Sequence, residues 1–189
     1  MAAHPQPPRW SVEAYLEMER GSTVRHEYID GHVYATAGGS LRHSRVSVNV
    51  LAVLQSLLRG GPCQVFNSDM KVRVDENNFV YPDASVTCDA RDTGDDGLTF
   101  ISHPTLIVEV LSDDSTARYD RGDKFELLYK RIEELREYVL FDTRTMAVDL
   151  YRRSGDTWSL QSYSAGYEIH LESIGATIPI AECYEGVSP

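Results

Sequence analysis

The chain has 189 residues, 42% of them hydrophobic, enough for a single domain with a sizeable core spanning residues 1–189. Its formal charge is −11 and its pI is near 4.9. That is the wrong sign for a protein that grips nucleic acid by bulk electrostatics, so any such contact must rest on a local basic patch and a bridging cation. No apolar stretch approaches the roughly 18–20 residues of a membrane span. Residues 1–20 lack a basic region followed by an apolar run, so no signal peptide is expected and the chain reads as cytoplasmic. Cys63, Cys88 and Cys183 are far apart, odd in number and without CxxC spacing. Neither a disulfide framework nor a zinc site is expected from them.

In chain order, residues 1–9 are Pro-rich and read as a loose arm. Ser11 can cap a short helix with Val12, Tyr15 and Leu16 on one face and Gly21 at its end. Residues 26–35 form two strand-like runs around Asp30-Gly31, a hairpin signal, with Glu27 on the first strand. Gly38-Gly39-Ser40 opens the clearest helix, with Ser40 as N-cap. Val46, Val50, Val53, Leu54, Leu57 and Leu58 make its apolar face, and Gly60-Gly61-Pro62 stops it.

A β-rich block follows. Met70, Val72 and Val74 alternate with Lys71 and Arg73. Residues 79–87 read as a strand interrupted by Pro82, which suggests an edge or a bulge. Residues 89–103 read as a mobile surface loop. Leu106 to Leu111 is a buried central strand and 112–122 a polar connection. A helix is expected over 123–131, and strands around 137–142, 146–152 and 157–163 form a meander. The exposed strands of that meander suit a homodimer.

The residue that most needs explaining is Glu109, alone in Leu106-Ile107-Val108-Glu109-Val110-Leu111. Burying even a neutral polar group unpaired costs on the order of 2–7 kcal/mol. Asp83 follows Pro82, and if the two strands are neighbours it lies beside Glu109. Two carboxylates, a backbone carbonyl and waters can hold a hard cation, with a substrate phosphate completing its shell. Lys124 could reach the same spot from the next helix. The competing explanation is a buried salt bridge between Glu109 and Lys124 or an arginine. Asp83 alone could cap a turn, and Lys124 could be a solvated helix residue. Glu27 is either a supporting acid or a surface hairpin residue. His43 either touches substrate and shuttles protons or caps and packs its helix. Asp113, Asp114, Asp120 and Asp123 read as a solvated acidic loop.

Pro82-Asp83, then Glu109-Val110-Leu111-Ser112, then Asp120 to Lys124 resemble the PD-(D/E)XK nuclease superfamily, and most closely its Uma-type branch of restriction endonucleases. Arg25-His26-Glu27-Tyr28-Ile29-Asp30-Gly31, Gly38-Gly39-Ser40 with His43, Pro104-Thr105 and Arg136-Glu137-Tyr138 extend the resemblance over nearly the whole chain. The resemblance implies an α/β restriction-endonuclease-like core, a mixed β-sheet flanked by helices. It also implies DNA phosphodiester hydrolysis with Mg²⁺ or Mn²⁺ held by Asp83, Glu109 and the Val110 carbonyl, with Lys124, Glu27 and His43 in the catalytic set. The superfamily lysine stands two residues after the glutamate, where this chain has Leu111. Lys124 is then the migrated lysine. Two other functions compete: a catalytically degenerate binding module, and a hydrolase of small phosphoesters, which an acidic surface would suit.

Overall fold

The computed structural model describes residues 9–36, 38–95, 97–112 and 114–188, with the backbone alone at 114–117. The expected N-terminal arm, apart from Arg9, and Asp113 lie outside the described residues. Helix α1 (Val12–Gly21) begins as read, with Ser11 Oγ accepting the Ala14 N–H. Strands β1 (His26–Ile29) and β2 (His32–Ala35) form the hairpin. Asp30 and Gly31 both adopt positive φ, 46° and 86°, the left-handed pair that a tight hairpin turn requires.

Helix α2 (Leu41–Leu57) starts at Ser40, whose hydroxyl accepts the His43 N–H. It buries Val46, Val50 and Leu54. Its inward stripe is narrower than the periodicity implies, since Leu57 is 45% exposed. Fully burying each such side chain contributes roughly 1.5–3 kcal/mol.

Four short strands follow: β3 (Gln64–Asn67), β4 (Lys71–Asp75), β5 (Asn78–Val80) and β6 (Ala84–Thr87). The single strand expected over 79–87 is therefore two strands in two different sheets. Proline cannot donate to a ladder, and the chain uses Tyr81-Pro82-Asp83 to cross between them. The expected mobile loop over 89–103 contains helix α3 (Ala90–Thr93) and strand β7 (Phe100–Ile101). The buried Asp92 carboxylate orders this stretch by accepting the Ser102 and His103 N–H groups and pairing with His103 Nδ1 at 2.9 Å.

Strand β8 (Leu106–Leu111) leads to α4 (Asp114–Arg121), in place of the expected polar connection, and α5 (Asp123–Leu127). The helix expected over 123–131 breaks after Leu127 and ends in a 3₁₀ turn at Tyr129–Arg131. The meander appears as β9 (Glu137–Asp142), β10 (Ala147–Ser154) and β11 (Thr157–Ser164). Strands β12 (Glu168–Leu171) and β13 (Ala176–Pro179) and helix α6 (Ile180–Cys183) complete the chain.

The strands build a six-stranded mixed sheet, ordered β11-β10-β9-β8-β6-β3, a five-stranded sheet, ordered β2-β1-β5-β4-β7, and a two-stranded sheet, β12-β13. Strands β8 and β9 pair in parallel at the centre of the larger sheet. Both are buried on both faces, which explains their near-continuous apolar runs, interrupted in β8 by Glu109. Leu106, Val108 and Val110 pack with α2, whereas Ile107 and Leu111 pack with Phe125, Leu128, Tyr129 and Ile132. Glu109 shares the second face by strand alternation. Its carboxylate therefore points toward α5 and the five-stranded sheet, and away from α2.

The cysteine expectation is overturned. Cys63 and Cys88 form a disulfide, and Cys183 alone is free and buried. The cause is register: Gln64 pairs with Thr87 in the antiparallel β3–β6 ladder, which sets Cys63 opposite Cys88. A separation of 25 residues gives no local cue to such a partner. Reduction is expected to lower the unfolding free energy by about 2–4 kcal/mol. Thiol titration of the denatured, unreduced chain should find one thiol, and three after reduction. Three thiols without reductant would contradict the bond.

Candidate active site

The register of the central sheet creates the site. Ala84 pairs with Val108 and Ser85 with Ile107, so one further step sets Asp83 beside Glu109. The Asp83 N–H donates to Glu109 Oε2 at 3.3 Å. Because β6 starts only at Ala84, Val110 has no ladder partner on that side. Its N–H donates instead to Asp83 Oδ2 at 2.7 Å. The N–H and C=O of one strand residue face the same side, so the Val110 carbonyl also faces Asp83.

Three further elements converge there. Lys124, from α5, places Nζ 2.8 Å from Glu109 Oε1, 3.1 Å from Glu27 Oε1 and 3.9 Å from Asp120 Oδ1. Glu27, from β1, also accepts the Tyr81 N–H at 3.2 Å, which braces the crossing segment that carries Asp83. His43, in the first turn of α2, reaches Asp83 Oδ2 with Nε2 at 3.1 Å. Gly39 makes room for that ring, since a Cβ there would lie 2.4 Å from His43 Nδ1. The walls enclose about 540 Å³ open to solvent.

All five expected side chains, Asp83, Glu109, Lys124, Glu27 and His43, therefore meet in one cavity. Lys124 is buried rather than a solvated helix residue, and Glu27 is an ion-pair partner rather than a free hairpin acid. Two participants escaped the sequence reading. Tyr129, within the helix expected over 123–131, donates its hydroxyl to Glu109 Oε1 at 2.5 Å. Asp120, read as solvated, is 8% exposed. Its one available signal is the i,i+4 spacing to Lys124 across the break between α4 and α5.

The electrostatics follow from this crowding. Burial pushes the Glu109 carboxyl up to about 8, because the lost hydration and the neighbouring acids outweigh Lys124. Burial likewise raises Asp120 to about 6. Burial alone would lower the Lys124 ammonium, but the surrounding carboxylates hold it well above its ordinary value. The hydrogen bond to Asp83 raises His43 despite its burial. Lys124 is thus a permanent cation here and no proton acceptor. Around it stand the carboxyl groups of Glu27, Glu109 and Asp120, with Asp83 beyond them paired to His43.

The donor set fits a hard divalent ion: the Asp83 and Glu109 carboxylates and a strand carbonyl, all oxygen. Among the described residues, no group of three or more His, Cys, Asp or Glu side chains is arranged to hold a metal ion. A hard cation held by these two carboxylates and a carbonyl would need water or a phosphate oxygen to complete its shell.

A mixed sheet flanked by helices, with paired acids at a strand crossing and a lysine opposite, defines a restriction-endonuclease-like protein. The chain belongs to the Uma2 family, described as "Putative restriction endonuclease", whose family profile matches residues 12–181. It is 40% identical over 183 residues to the uncharacterized protein slr1290 of Synechocystis sp., covering 96% of this chain and 94% of that one. It is 31% identical over 159 residues to the uncharacterized protein sll1609 of the same organism, covering 84% and 89%. Its fold matches the crystal structure of a putative nuclease belonging to DUF820 from Anabaena variabilis. The TM-score there is 0.72 at 15% identity, covering 92% of this chain and 97% of that one. Among the described residues no helix is long and apolar enough to cross a membrane.

Proposed function

We propose that this chain, acting as one domain, is a Mg²⁺- or Mn²⁺-dependent endonuclease that hydrolyses DNA phosphodiester bonds. The observation that carries this reading is the meeting of Asp83, Glu109 and Lys124 across β6, β8 and α5. Membership in a family described as "Putative restriction endonuclease" supports it.

Asp83, Glu109 and the Val110 carbonyl would hold the cation. When bound, it would lower the pKa of a coordinated water and offset charge at the scissile phosphate. Lys124 supplies fixed positive charge for a phosphate oxygen or the attacking water. Glu27 holds Lys124 and the Tyr81-Pro82-Asp83 segment in place. Tyr129 orients the Glu109 carboxylate from behind. The bond to Asp83 favours the charged form of His43, which suits it to return a proton to the leaving oxygen. A DNA substrate would suit a cytoplasmic protein, and a homodimer would bring two sites to the two strands.

Supercoiled plasmid tests the reading. Wild-type protein should nick it with Mg²⁺ or Mn²⁺ and not in chelator, and Asp83→Ala should abolish nicking. Equal cleavage by the two proteins, or cleavage that survives chelation, would sink it.

A further inference from the structure

A second cavity of about 620 Å³ adjoins the first. Glu27 and Tyr119 line both cavities and form the partition between them. Its walls include Tyr34 and Leu127, which are 53% and 55% exposed, while Tyr119 is 36% exposed. Three large apolar side chains left open around one concavity suggest a site for a ligand rather than a simple surface. The rim carries Asp30 and Asp123, together with Arg131, whose guanidinium is paired with Asp75 at 3.2 Å. Among the described residues neither carboxylate has an ion-pair partner, so both keep acceptor capacity.

This combination selects its occupant. A phosphate would meet the carboxylates of Glu27, Asp30 and Asp123, which outnumber the one guanidinium, Arg131, already engaged by Asp75. A lipid tail would leave those carboxylates unsatisfied. An uncharged flat ring with outward amino groups satisfies both features: its faces stack on the tyrosines and its N–H groups reach the carboxylates. We propose that this cavity receives an unpaired nucleobase bearing an exocyclic amine, next to the phosphate bound at Asp83 and Glu109. The proposal rests on the nuclease reading for its substrate class. It adds that the strand is bound with a base extruded or single-stranded, and that adenine, cytosine and guanine are preferred over thymine. Thymine presents a carbonyl where the others present the amine, and that carbonyl would face a carboxylate.

The experiment uses intact protein in chelator, so that no cleavage enters. Cytidine and thymidine are titrated separately and followed by amide NMR shifts. Cytidine should shift the amides of residues 29–34 and 119–128, and thymidine should bind at least about fivefold more weakly. Tyr34→Ala should weaken cytidine binding by about fivefold or more. Leu127→Arg, on an exposed position, should do the same and serves if the first variant fails to fold. No shift in these segments, or equal response to both nucleosides, overturns the proposal even if plasmid is nicked. Shifts with cytidine but no nicking would fell the nuclease reading and leave the base site standing. A dimer in sedimentation that Leu127→Arg splits would assign this face to a second copy and overturn the proposal.

Discussion

Replacing Lys124 with methionine is expected to lower the unfolding free energy of the metal-free protein by about 3–5 kcal/mol, the usual cost of removing one partner of a buried ion pair. The ammonium lies within 4 Å of Glu109, Glu27 and Asp120. Methionine fills similar space and carries no charge, so three acids would be left facing one another. For a chain of this size the loss corresponds to about 2–4 °C in Tm per kcal/mol. The penalty should depend on pH. Glu109 and Asp120 titrate at about 8 and about 6 when folded, against ordinary values of 4.5 and 3.8. A carboxyl whose folded value is raised binds its proton more tightly in the native state. Its contribution is therefore full below about pH 4 and is lost as pH climbs through about 6 for Asp120 and about 8 for Glu109. The variant should accordingly be nearly as stable as wild type in acid and weakest above pH 8. Mn²⁺ should restore part of the loss, and more in the variant than in wild type, because the ion supplies the missing positive charge. Thermal unfolding with and without chelator, across that pH range, measures this. A uniform loss under every condition would mean that Lys124 merely fills space.

Glu109→Gln is expected to reduce metal-dependent cleavage by on the order of 10³-fold or more, since it removes a charged ligand at the point where the cation must sit. Glutamine keeps the shape and can still accept the Tyr129 hydroxyl, while Lys124 retains Glu27 at 3.1 Å. The fold should therefore survive, and Tm should change less than in the Lys124 variant. The two proteins should also differ in how metal binding responds to pH. In wild type the cation must displace the proton held by Glu109, so affinity should rise toward about pH 8, by up to tenfold per unit. The glutamine variant has no such proton, and whatever affinity remains should lose that slope. Calorimetric titration with Mn²⁺ reads the binding and plasmid nicking reads the chemistry. Cleavage within about tenfold of wild type would remove Glu109 from the catalytic set.

The parts of the fold that neighbours along the chain specify were legible beforehand. Asp30-Gly31 announces its turn because few pairs accept two positive φ values. Ser11 and Ser40 announce helix starts because their hydroxyls satisfy N–H groups only three residues away. Glu109 announces a site because a carboxylate inside an apolar strand demands a partner. Each of these signals needs a window of a few residues.

What escaped depends on register and on approach between distant segments. Pro82 signals a disturbance, but a single strand with a bulge and two strands in different sheets share that signal. The tertiary structure chose the second, because β5 pairs with β1 and β4 while β6 pairs with β8 and β3. The Cys63–Cys88 bond follows from the β3–β6 ladder, which no spacing rule contains. Asp120 reads as solvated because its neighbours are polar; it is buried because α4 and α5 fold back over β8. By itself the sequence determined which residue needed a partner, Glu109, and left a cation site and a salt bridge to Lys124 both open. Only the tertiary structure decided its partners, because Asp83, Lys124, Tyr129 and Asp120 reach it through strand register and helix packing rather than through proximity in the chain.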